Sequence, residues 1–115
     1  MAEDCLFCKI AAGAIPSTEV YSDADFYAFR DIHPLAPTHV LVIPRKHLAK
    51  VTDAGPEDAA LLGNLILKAN EIAANEGLLD NGFRLVVNCG PWGGQVVPHL
   101  HLHILGGRPL APSPG

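Results

Sequence analysis

The chain has 115 residues and a formal net charge of −4, with 49% hydrophobic and 17% charged residues. A chain of this length and composition is expected to fold as one globular domain over residues 1–115. No apolar run approaches the roughly 18 residues of a membrane helix, which excludes a membrane-spanning protein. The negative charge argues against polymeric nucleic acid as a partner, because proteins hold it by neutralising its phosphates.

The first half of the chain predicts a short helix followed by three strands. Residues 5–12 fit two helical turns, which Gly13 would end. Residues 18–22 and 26–30 carry β-branched and aromatic side chains on either side of an Asp-Ala-Asp turn, a pattern typical of a β-hairpin. Residues 39–43 form an almost wholly apolar run, which predicts a strand buried on both faces.

The second half predicts one long helix and two further strands. Apolar residues recur every three or four positions between 56 and 76, as on one face of a helix. Residues 83–88 and 99–105 predict strands, and residues 106–115 form a tail rich in Pro and Gly. Strands in two groups around one long helix indicate an α+β domain with a mainly antiparallel sheet.

Three histidines alternate with apolar residues in the last predicted strand. The period of two in a strand would place His99, His101 and His103 on one face, about 7 Å apart. A solvated polar face is the simplest alternative, but three histidines beside a glycine-rich loop favour a functional site. Side chains in such a row do not converge easily on one metal ion. We therefore expect a division of roles, with one histidine as a nucleophile.

A glycine-rich loop over residues 88–95 precedes the histidines. Glycines let backbone N–H groups approach an anion closely, although Gly and Pro between strands often form only a turn. Next to three histidines, this loop is a candidate oxyanion or phosphate site. The sequence contains neither the P-loop pattern nor the dinucleotide-binding fingerprint, which excludes those two nucleotide-binding classes.

Two cysteines at the spacing Cys5-x-x-Cys8 form one half of a candidate zinc site, for which His47 and His99 are candidate further ligands. Two small buried cysteines without a metal ion are an equally weighted alternative.

The acidic N-terminus lacks the features of a signal peptide and predicts a cytoplasmic protein. In that reducing compartment, a disulfide among Cys5, Cys8 and Cys89 is not expected.

The histidine row resembles the motif for which the histidine triad (HIT) superfamily is named. The similarity extends from residue 5 to residue 109 and includes three further stretches: residues 29–32, 36–47 and 85–88. The closing Gly106-Gly107-Arg108 resembles the Hint branch of nucleoside phosphoramidases, and the cysteine pair resembles bacterial members. The resemblance implies a mainly antiparallel five-stranded sheet with one long and one short helix.

This resemblance implies a hydrolase that cleaves the P–N bond of a purine nucleoside 5′-phosphoramidate without a catalytic cofactor. His101 would be the nucleophile and would form a covalent nucleotidyl-histidine. The other implied catalytic residues are His103, His39 and Gln95. His103 would contact the α-phosphate, and the remaining phosphate contacts would come from Asn88, Gly94 and Gln95.

The resemblance also implies how the nucleotide, a metal ion and a partner subunit would be bound. The ribose hydroxyls would bind Asp31, which without the resemblance would be an ordinary turn residue. The base would be enclosed by Phe7, Ile10, Phe29, Ile32 and Leu41. A structural zinc ion would be held by Cys5, Cys8, His47 and His99. The protein would be a homodimer whose interface includes the helix over residues 56–76.

Three departures from the animal Hint pattern bear on specificity. Val96 replaces a serine that contacts the phosphate, Arg30 replaces a histidine beside Asp31, and the tail after Arg108 lacks the usual tryptophan. Two alternative functions stay open. One is the hydrolysis of a dinucleoside polyphosphate, which the small number of basic residues near the histidines does not favour. The other is a nucleotide-binding or scaffolding protein, which would not need the intact His101.

Overall fold

The fold is described by a computed structural model that covers residues 4–112 and 114. Its elements are α1 (Leu6–Ala11), β1 (Glu19–Ser22), β2 (Phe26–Arg30), β3 (Thr38–Pro44), α2 (Ala59–Asn75), β4 (Arg84–Val87) and β5 (Leu102–Gly106). The strands form one antiparallel sheet in the order β1-β2-β3-β5-β4. This arrangement confirms the predicted α+β fold with five antiparallel strands, one long helix and one short helix. In the described part of the chain, no helix is long and apolar enough to cross a membrane.

The long helix begins slightly later than its apolar pattern predicts. The first turn of the predicted helix over residues 56–76 is a 3₁₀ turn, Pro56–Asp58, and α2 follows it. The Asp58 carboxylate accepts a hydrogen bond from the Gly55 N–H at 3.0 Å and forms an ion pair with Lys46. These interactions fix the entry into α2, because the carboxylate at the third position of the turn accepts from the N–H of the residue that precedes the turn, as in a capping box.

The two faces of the sheet are covered by different helices. One face packs against α2 and forms the larger core, to which β3 and β5 contribute Val40, Val42, Leu102 and Ile104. The other face packs against α1 through a smaller cluster of Cys5, Phe7, Ile10, Tyr27, Phe29, Leu41 and Ile43. All residues of β3 after the first are buried, which confirms the prediction of a strand buried on both faces.

The last strand begins later than the histidine pattern predicts. β5 starts at residue 102, so His99 and His101 precede it, and the prediction of a strand over 99–105 is wrong for its first three residues. The reason lies in the main chain, because the N–H of Leu100 donates to the carbonyl of Leu48 at 2.7 Å outside the sheet ladder. The side chains still alternate: Leu100 joins the α2 core, while His99 and His101 face α1.

The predicted tail over residues 106–115 starts within the sheet, since residue 106 is the last residue of β5. Residues 107–112 and 114 belong to no helix or strand, whereas positions 113 and 115 lie outside the described residues. Two arginines bind this segment to the rest of the domain: Arg84 donates to the Ala111 carbonyl, and Arg108 donates to the Leu35 carbonyl. Residues 1–3, which were part of the signal-peptide prediction, are also outside the described residues.

Candidate functional site

Two groups of chemically active side chains lie next to each other on the α1 face of the sheet. The first, the Cys/His cluster, consists of Cys5, Cys8, His47 and His99. The second, the histidine pocket, is a cavity of about 480 Å³ that is lined by His101 and His103. His39 is hydrogen-bonded to His103. His99 and His101 are two residues apart, so the chain passes directly from one group to the other.

The four residues of the Cys/His cluster come from three parts of the chain: the start of α1, the segment after β3 and the segment before β5. The Nδ1 of His99 lies 3.3 Å from the Sγ of Cys5 and 3.4 Å from the Sγ of Cys8. The Nδ1 of His47 lies 3.1 Å from the Nδ1 of His99 and 3.3 Å from the Sγ of Cys8. A tetrahedral zinc ion separates its ligand atoms by about 3.5 Å, so these four atoms fit one such ion.

Hydrogen bonds around the cluster prepare His99 to bind a metal ion. Its Nε2–H donates to the carbonyl of Pro44 at 2.8 Å, so the lone pair is on the Nδ1 that faces the sulfur atoms. Burial lowers the pKa of His99, which keeps the ring neutral, as a ligand must be. Burial and the neighbouring Cys5 raise the pKa of the Cys8 thiol to about 11, so a metal ion would displace its proton.

The ring of His101 is fixed on one side by the main chain. Its Nδ1–H donates to the carbonyl of His99 at 2.7 Å, which leaves the lone pair on Nε2. Phe7 packs edge-on against the ring, with centroids 5.1 Å apart. His101 lines the cavity, and no group of the described residues forms a hydrogen bond with its Nε2. An imidazole whose Nε2 faces a cavity and has no hydrogen-bond partner is suited to nucleophilic attack.

His103 and His39 form a hydrogen-bonded pair on the two central strands. His39 on β3 is diagonal to His103 on β5, and its Nε2 lies 2.9 Å from the Nδ1 of His103. Burial, followed by the charges of His101 and His39, lowers the pKa of His103 to about 4. Burial also lowers the pKa of His39, against the opposite effect of Asp31. Both rings are therefore neutral near pH 7. The Nε2 of His103 is buried and has no partner among the described residues.

The residues predicted to hold the nucleoside line the cavity. The five apolar ones are Phe7, Ile10, Phe29, Ile32 and Leu41. Four of them are buried, whereas Ile32 is 85% exposed at the rim. Asp31 follows β2, where its Oδ1 accepts a hydrogen bond from the His33 N–H at 2.8 Å. Its Oδ2 lies 3.5 Å from the Nε2 of His39, so the carboxylate faces the histidine pair.

The glycine-rich loop lines the cavity with only some of its predicted residues. Asn88 and Gly94 line it, and Gly94 has a φ of +83°, a conformation that favours glycine. The side chain of Gln95 is instead surrounded by main-chain groups. Its Oε1 accepts from an N–H of the loop at 2.9 Å, and its amide donates to the carbonyls of Ala49 and Val97 at 2.6 and 3.0 Å. Gln95 thus holds the shape of the loop and does not line the cavity.

Comparison with known proteins identifies the family, because the HIT domain family matches residues 12–110. The chain belongs to the HIT domain family. The purine nucleoside phosphoramidase of Escherichia coli K12 is 48% identical over 112 residues, which are 97% of this chain and 94% of that protein. A HIT family hydrolase from Legionella pneumophila Philadelphia 1 is 52% identical with a TM-score of 0.94, covering 96% of this chain and 99% of that chain. The protein is accordingly a HIT family hydrolase.

Another HIT structure contains a metal ion. It is a Zn-bound histidine triad family protein from Mycobacterium smegmatis, 33% identical with a TM-score of 0.78, covering 94% of this chain and 78% of that chain. In the present HIT hydrolase, the distances within the Cys/His cluster and the free Nδ1 of His99 fit a metal ion on their own. The predicted set of four ligands is therefore brought together in space.

Other residues of this HIT hydrolase line the pocket without having been predicted to do so. They include Leu6, Pro16, Ser17, Leu35 and Val97. Leu6 stands at an unspecified position of the Cys5-x-x-Cys8 spacing, and the other four belong to no motif or periodic pattern, so the sequence contained no signal for them. Of the departures from the animal pattern, Val96 lines the cavity as expected. Arg30 lines the cavity as well, but its guanidinium donates to both carboxylate oxygens of Glu76, at 2.8 and 3.0 Å, so its charge is paired with that residue.

Proposed function

We propose that this HIT hydrolase cleaves the P–N bond of purine nucleoside 5′-phosphoramidates through a covalent intermediate on His101. The observation that carries the proposal is the unpartnered Nε2 of His101 at the cavity, on a ring that is fixed by the 2.7 Å hydrogen bond from its Nδ1–H to the His99 carbonyl. The 48% identity to a protein named purine nucleoside phosphoramidase supports this substrate class.

The reaction is proposed to have two displacements at the α-phosphorus. In the first, the lone pair on the Nε2 of His101 forms a bond to phosphorus, and the amine leaves with the electrons of the P–N bond and gains a proton from solvent. In the second, water forms a bond to phosphorus, the bond to Nε2 breaks, and the water loses a proton to solvent. Dividing the reaction in this way avoids a direct attack by water on the phosphoramidate.

The proposed roles of the other residues follow from their positions around the cavity. His103 donates from its buried Nε2 to a phosphoryl oxygen, assisted by Asn88 and the main chain at Gly94. The carboxylate of Asp31 accepts hydrogen bonds from the ribose hydroxyls. The base lies against the apolar wall formed by Phe7, Ile10, Phe29, Ile32 and Leu41. Gln95 contributes through the loop that it holds.

We further propose that the Cys/His cluster binds one structural zinc ion. A closed set of two thiolates and two imidazoles leaves no open position for substrate, so zinc would connect α1 to the segments after β3 and before β5. No catalytic cofactor is proposed, since the nucleophile is His101 in the first displacement and water in the second. Metal analysis of protein purified without added metal is expected to give about one zinc per chain. A value near zero would contradict the four-ligand site.

We also propose a homodimer in which a second copy covers α2 and the edge strand β4. A groove of about 320 Å³ lies between these elements, and its apolar residues Ile66 and Val87 are 51% and 41% exposed. Sedimentation is expected to show a dimer that Ile66→Glu dissociates. Leu79→Glu, at an exposed leucine outside the groove, is the control and should stay dimeric.

The predicted cytoplasmic location stays a prediction, which cell fractionation would test.

The function is tested by steady-state hydrolysis of adenosine 5′-phosphoramidate and of diadenosine tetraphosphate, each with the wild type and His101→Ala. We expect preference for the phosphoramidate, loss of turnover in the variant, and retained binding of AMP. Acid-quenched mass spectrometry should detect an adenylyl group on His101 in the wild type. Preference for the dinucleotide would instead support the polyphosphate alternative. AMP binding without turnover of either substrate would support a binding protein.

A further inference from the structure

A chain of hydrogen bonds connects the main chain of Leu35 with the unpartnered nitrogen of His103. Leu35 lies in the segment between β2 and β3, and its N–H donates to the Nδ1 of His39 at 3.1 Å. The Nε2 of His39 lies 2.9 Å from the Nδ1 of His103. The Nε2 of His103 is buried and, within the described ranges, has no hydrogen-bond partner. Three rigid groups are therefore connected in series, with one end at the cavity.

The direction of these hydrogen bonds follows from the first donor. A main-chain N–H can only donate, so the Nδ1 of His39 carries a lone pair, and the proton of this neutral ring is on Nε2. That proton is donated to the Nδ1 of His103. The neutral ring of His103 must then carry its own proton on Nε2. His103 is thus a hydrogen-bond donor before any ligand binds.

The same N–H argues against a metal ion at these histidines. Ligand atoms of Asp31, His39 and His103 lie within 4.8 Å of one another. A metal ion bound to the Nε2 of His39 would require the ring proton to be on Nδ1. That proton would face the Leu35 N–H across 3.1 Å, and two donors cannot form a hydrogen bond. The arrangement therefore suits an anionic oxygen rather than a cation.

The carbonyl side of Leu35 is fixed as well. The Nη2 of Arg108 donates to the Leu35 carbonyl at 2.9 Å, and its Nη1 donates to the Pro109 carbonyl at 2.9 Å. The side chain of Leu35 is 71% exposed, so the residue acts on the histidine pair through its main chain. Arg108 closely follows β5, the strand that carries His103. Both sides of Leu35 are consequently connected to the two central strands.

On the basis of the function proposed above, we propose that the main chain of Leu35, held in place by Arg108, positions His103 as a donor to the phosphoryl oxygen. The opposite tautomer of His103 would present a lone pair to that negatively charged oxygen and would repel it. A donor that is fixed in advance needs no proton rearrangement during either displacement. Leu35 and Arg108 are thus positioning residues that act through His39 and His103.

The tautomers can be measured without substrate, in ¹⁵N-labelled full-length protein by long-range ¹H–¹⁵N correlation at pH 7. We expect the Nδ1 of both His39 and His103 to be unprotonated and the Nε2 of both rings to be protonated. A protonated Nδ1 on either ring would overturn the proposal. If the wild type fails to hydrolyse phosphoramidates, the proposed function is wrong, but the nitrogen spectra still report on the tautomers.

Leu35→Pro removes the N–H, and Leu35→Ala is the matched control because it keeps the N–H and shortens the exposed side chain. Leu35→Pro is expected to give mixed tautomers of His39 and His103. Its kcat/KM should fall about tenfold, the size of one lost hydrogen bond. Leu35→Ala should keep the wild-type nitrogen shifts. Wild-type shifts in Leu35→Pro, or mixed tautomers with unchanged kcat/KM, would overturn the proposal.

Substitutions of Arg108 provide a second test of the positioning of His39 and His103, which can be used if Leu35→Pro does not fold. Arg108 is exposed, so its replacement is not expected to unfold the domain. Arg108→Ala should shift the nitrogen signals of His39 and His103 toward mixed tautomers, and Arg108→Lys should restore them in part. Wild-type nitrogen signals in Arg108→Ala would overturn its positioning role.

Discussion

The Cys/His cluster and the histidine pocket contain the same kind of side chain but present opposite ring nitrogens. In the cluster, His99 donates from Nε2 to the carbonyl of Pro44 and turns Nδ1 toward two sulfur atoms. In the pocket, His101 donates from Nδ1 to the carbonyl of His99, which frees Nε2. His103 accepts at Nδ1 and keeps its proton on Nε2. The group that is hydrogen-bonded to each histidine ring therefore decides whether that ring is suited to be a metal ligand, a nucleophile or a hydrogen-bond donor.

The largest effects are expected from substitutions that disable one of the two regions and leave the other intact. His101→Ala should lower phosphoramidate turnover at least about a thousandfold while zinc content is unchanged, because the nucleophile is lost and the cluster is intact. Cys8→Ser should remove zinc and lower the free energy of unfolding by about 3 kcal/mol, because metal binding is coupled to folding. Parallel turnover assays, metal analysis and urea denaturation measure both.

Cys89→Ser is the matched control for the cysteine variant. Cys89 lies in the glycine-rich loop near Thr52, outside the Cys/His cluster, so zinc content and stability should match the wild type. A loss of zinc in His101→Ala, or full zinc content in Cys8→Ser, would show that the two regions are not divided as described.

A smaller effect is expected from pH on the histidine pocket. His103 has a pKa of about 4 in the folded protein, whereas in the unfolded chain the pKa of histidine is about 6.5. The unfolded chain therefore binds a proton first as the pH falls, and the free energy of unfolding should drop by about 2 kcal/mol between pH 6.5 and pH 4.5. Urea denaturation across this window measures the slope.

The control for the pH effect is His103→Gln, which cannot bind that proton. The variant should lose part of the slope, while any contribution of the Cys/His cluster is common to both proteins and cancels in the difference. The carboxylates with lowered pKa values, Asp23 and Asp58, lose their contribution only below this window. Identical slopes in the two proteins would show that His103 is not held neutral by the fold.

A further prediction concerns the loop next to both regions. Gln95→Glu keeps an acceptor for the loop N–H but cannot donate to the carbonyls of Ala49 and Val97. We expect the free energy of unfolding to fall by about 1 kcal/mol, and kcat/KM to fall by the factor that corresponds to a similar free energy. Thermal melting and turnover are measured on the same preparation. A thousandfold loss of turnover with unchanged melting would instead indicate direct contact of Gln95 with the reacting phosphate.

The smallest effect is expected at Arg30, beside the ribose carboxylate. Arg30→Gln breaks a partly exposed ion pair with Glu76 and should cost less than about 1 kcal/mol of stability. Arg30→Lys keeps the charge but not the two parallel hydrogen bonds, so its stability should lie between those of Arg30→Gln and the wild type. A large rise in KM for Arg30→Gln would mean that the guanidinium contacts the nucleotide after all.

The identity of most candidate site residues was predictable, but their geometry was not. The Cys5-x-x-Cys8 spacing and the alternating histidines are visible in the sequence, because metal ligands and strand residues occur at fixed intervals. The strand that was predicted for His99 and His101 is wrong there, because the main chain bonds to the segment after β3. The direction of the Gln95 amide depends on Ala49, 46 residues away, so no local pattern contains it.

The sequence by itself determined the sheet, the long helix and the side chains available for chemistry, because periodicity and local spacing are properties of neighbouring residues. Only the tertiary structure decided which nitrogen of each histidine is free. That choice depends on carbonyl and N–H groups from distant segments, such as Pro44 for His99, and on the chain of groups from Leu35 to His103. Backbone carbonyl groups are the same at every position, and N–H groups are the same at every position except proline, so their role becomes visible only where folding places them.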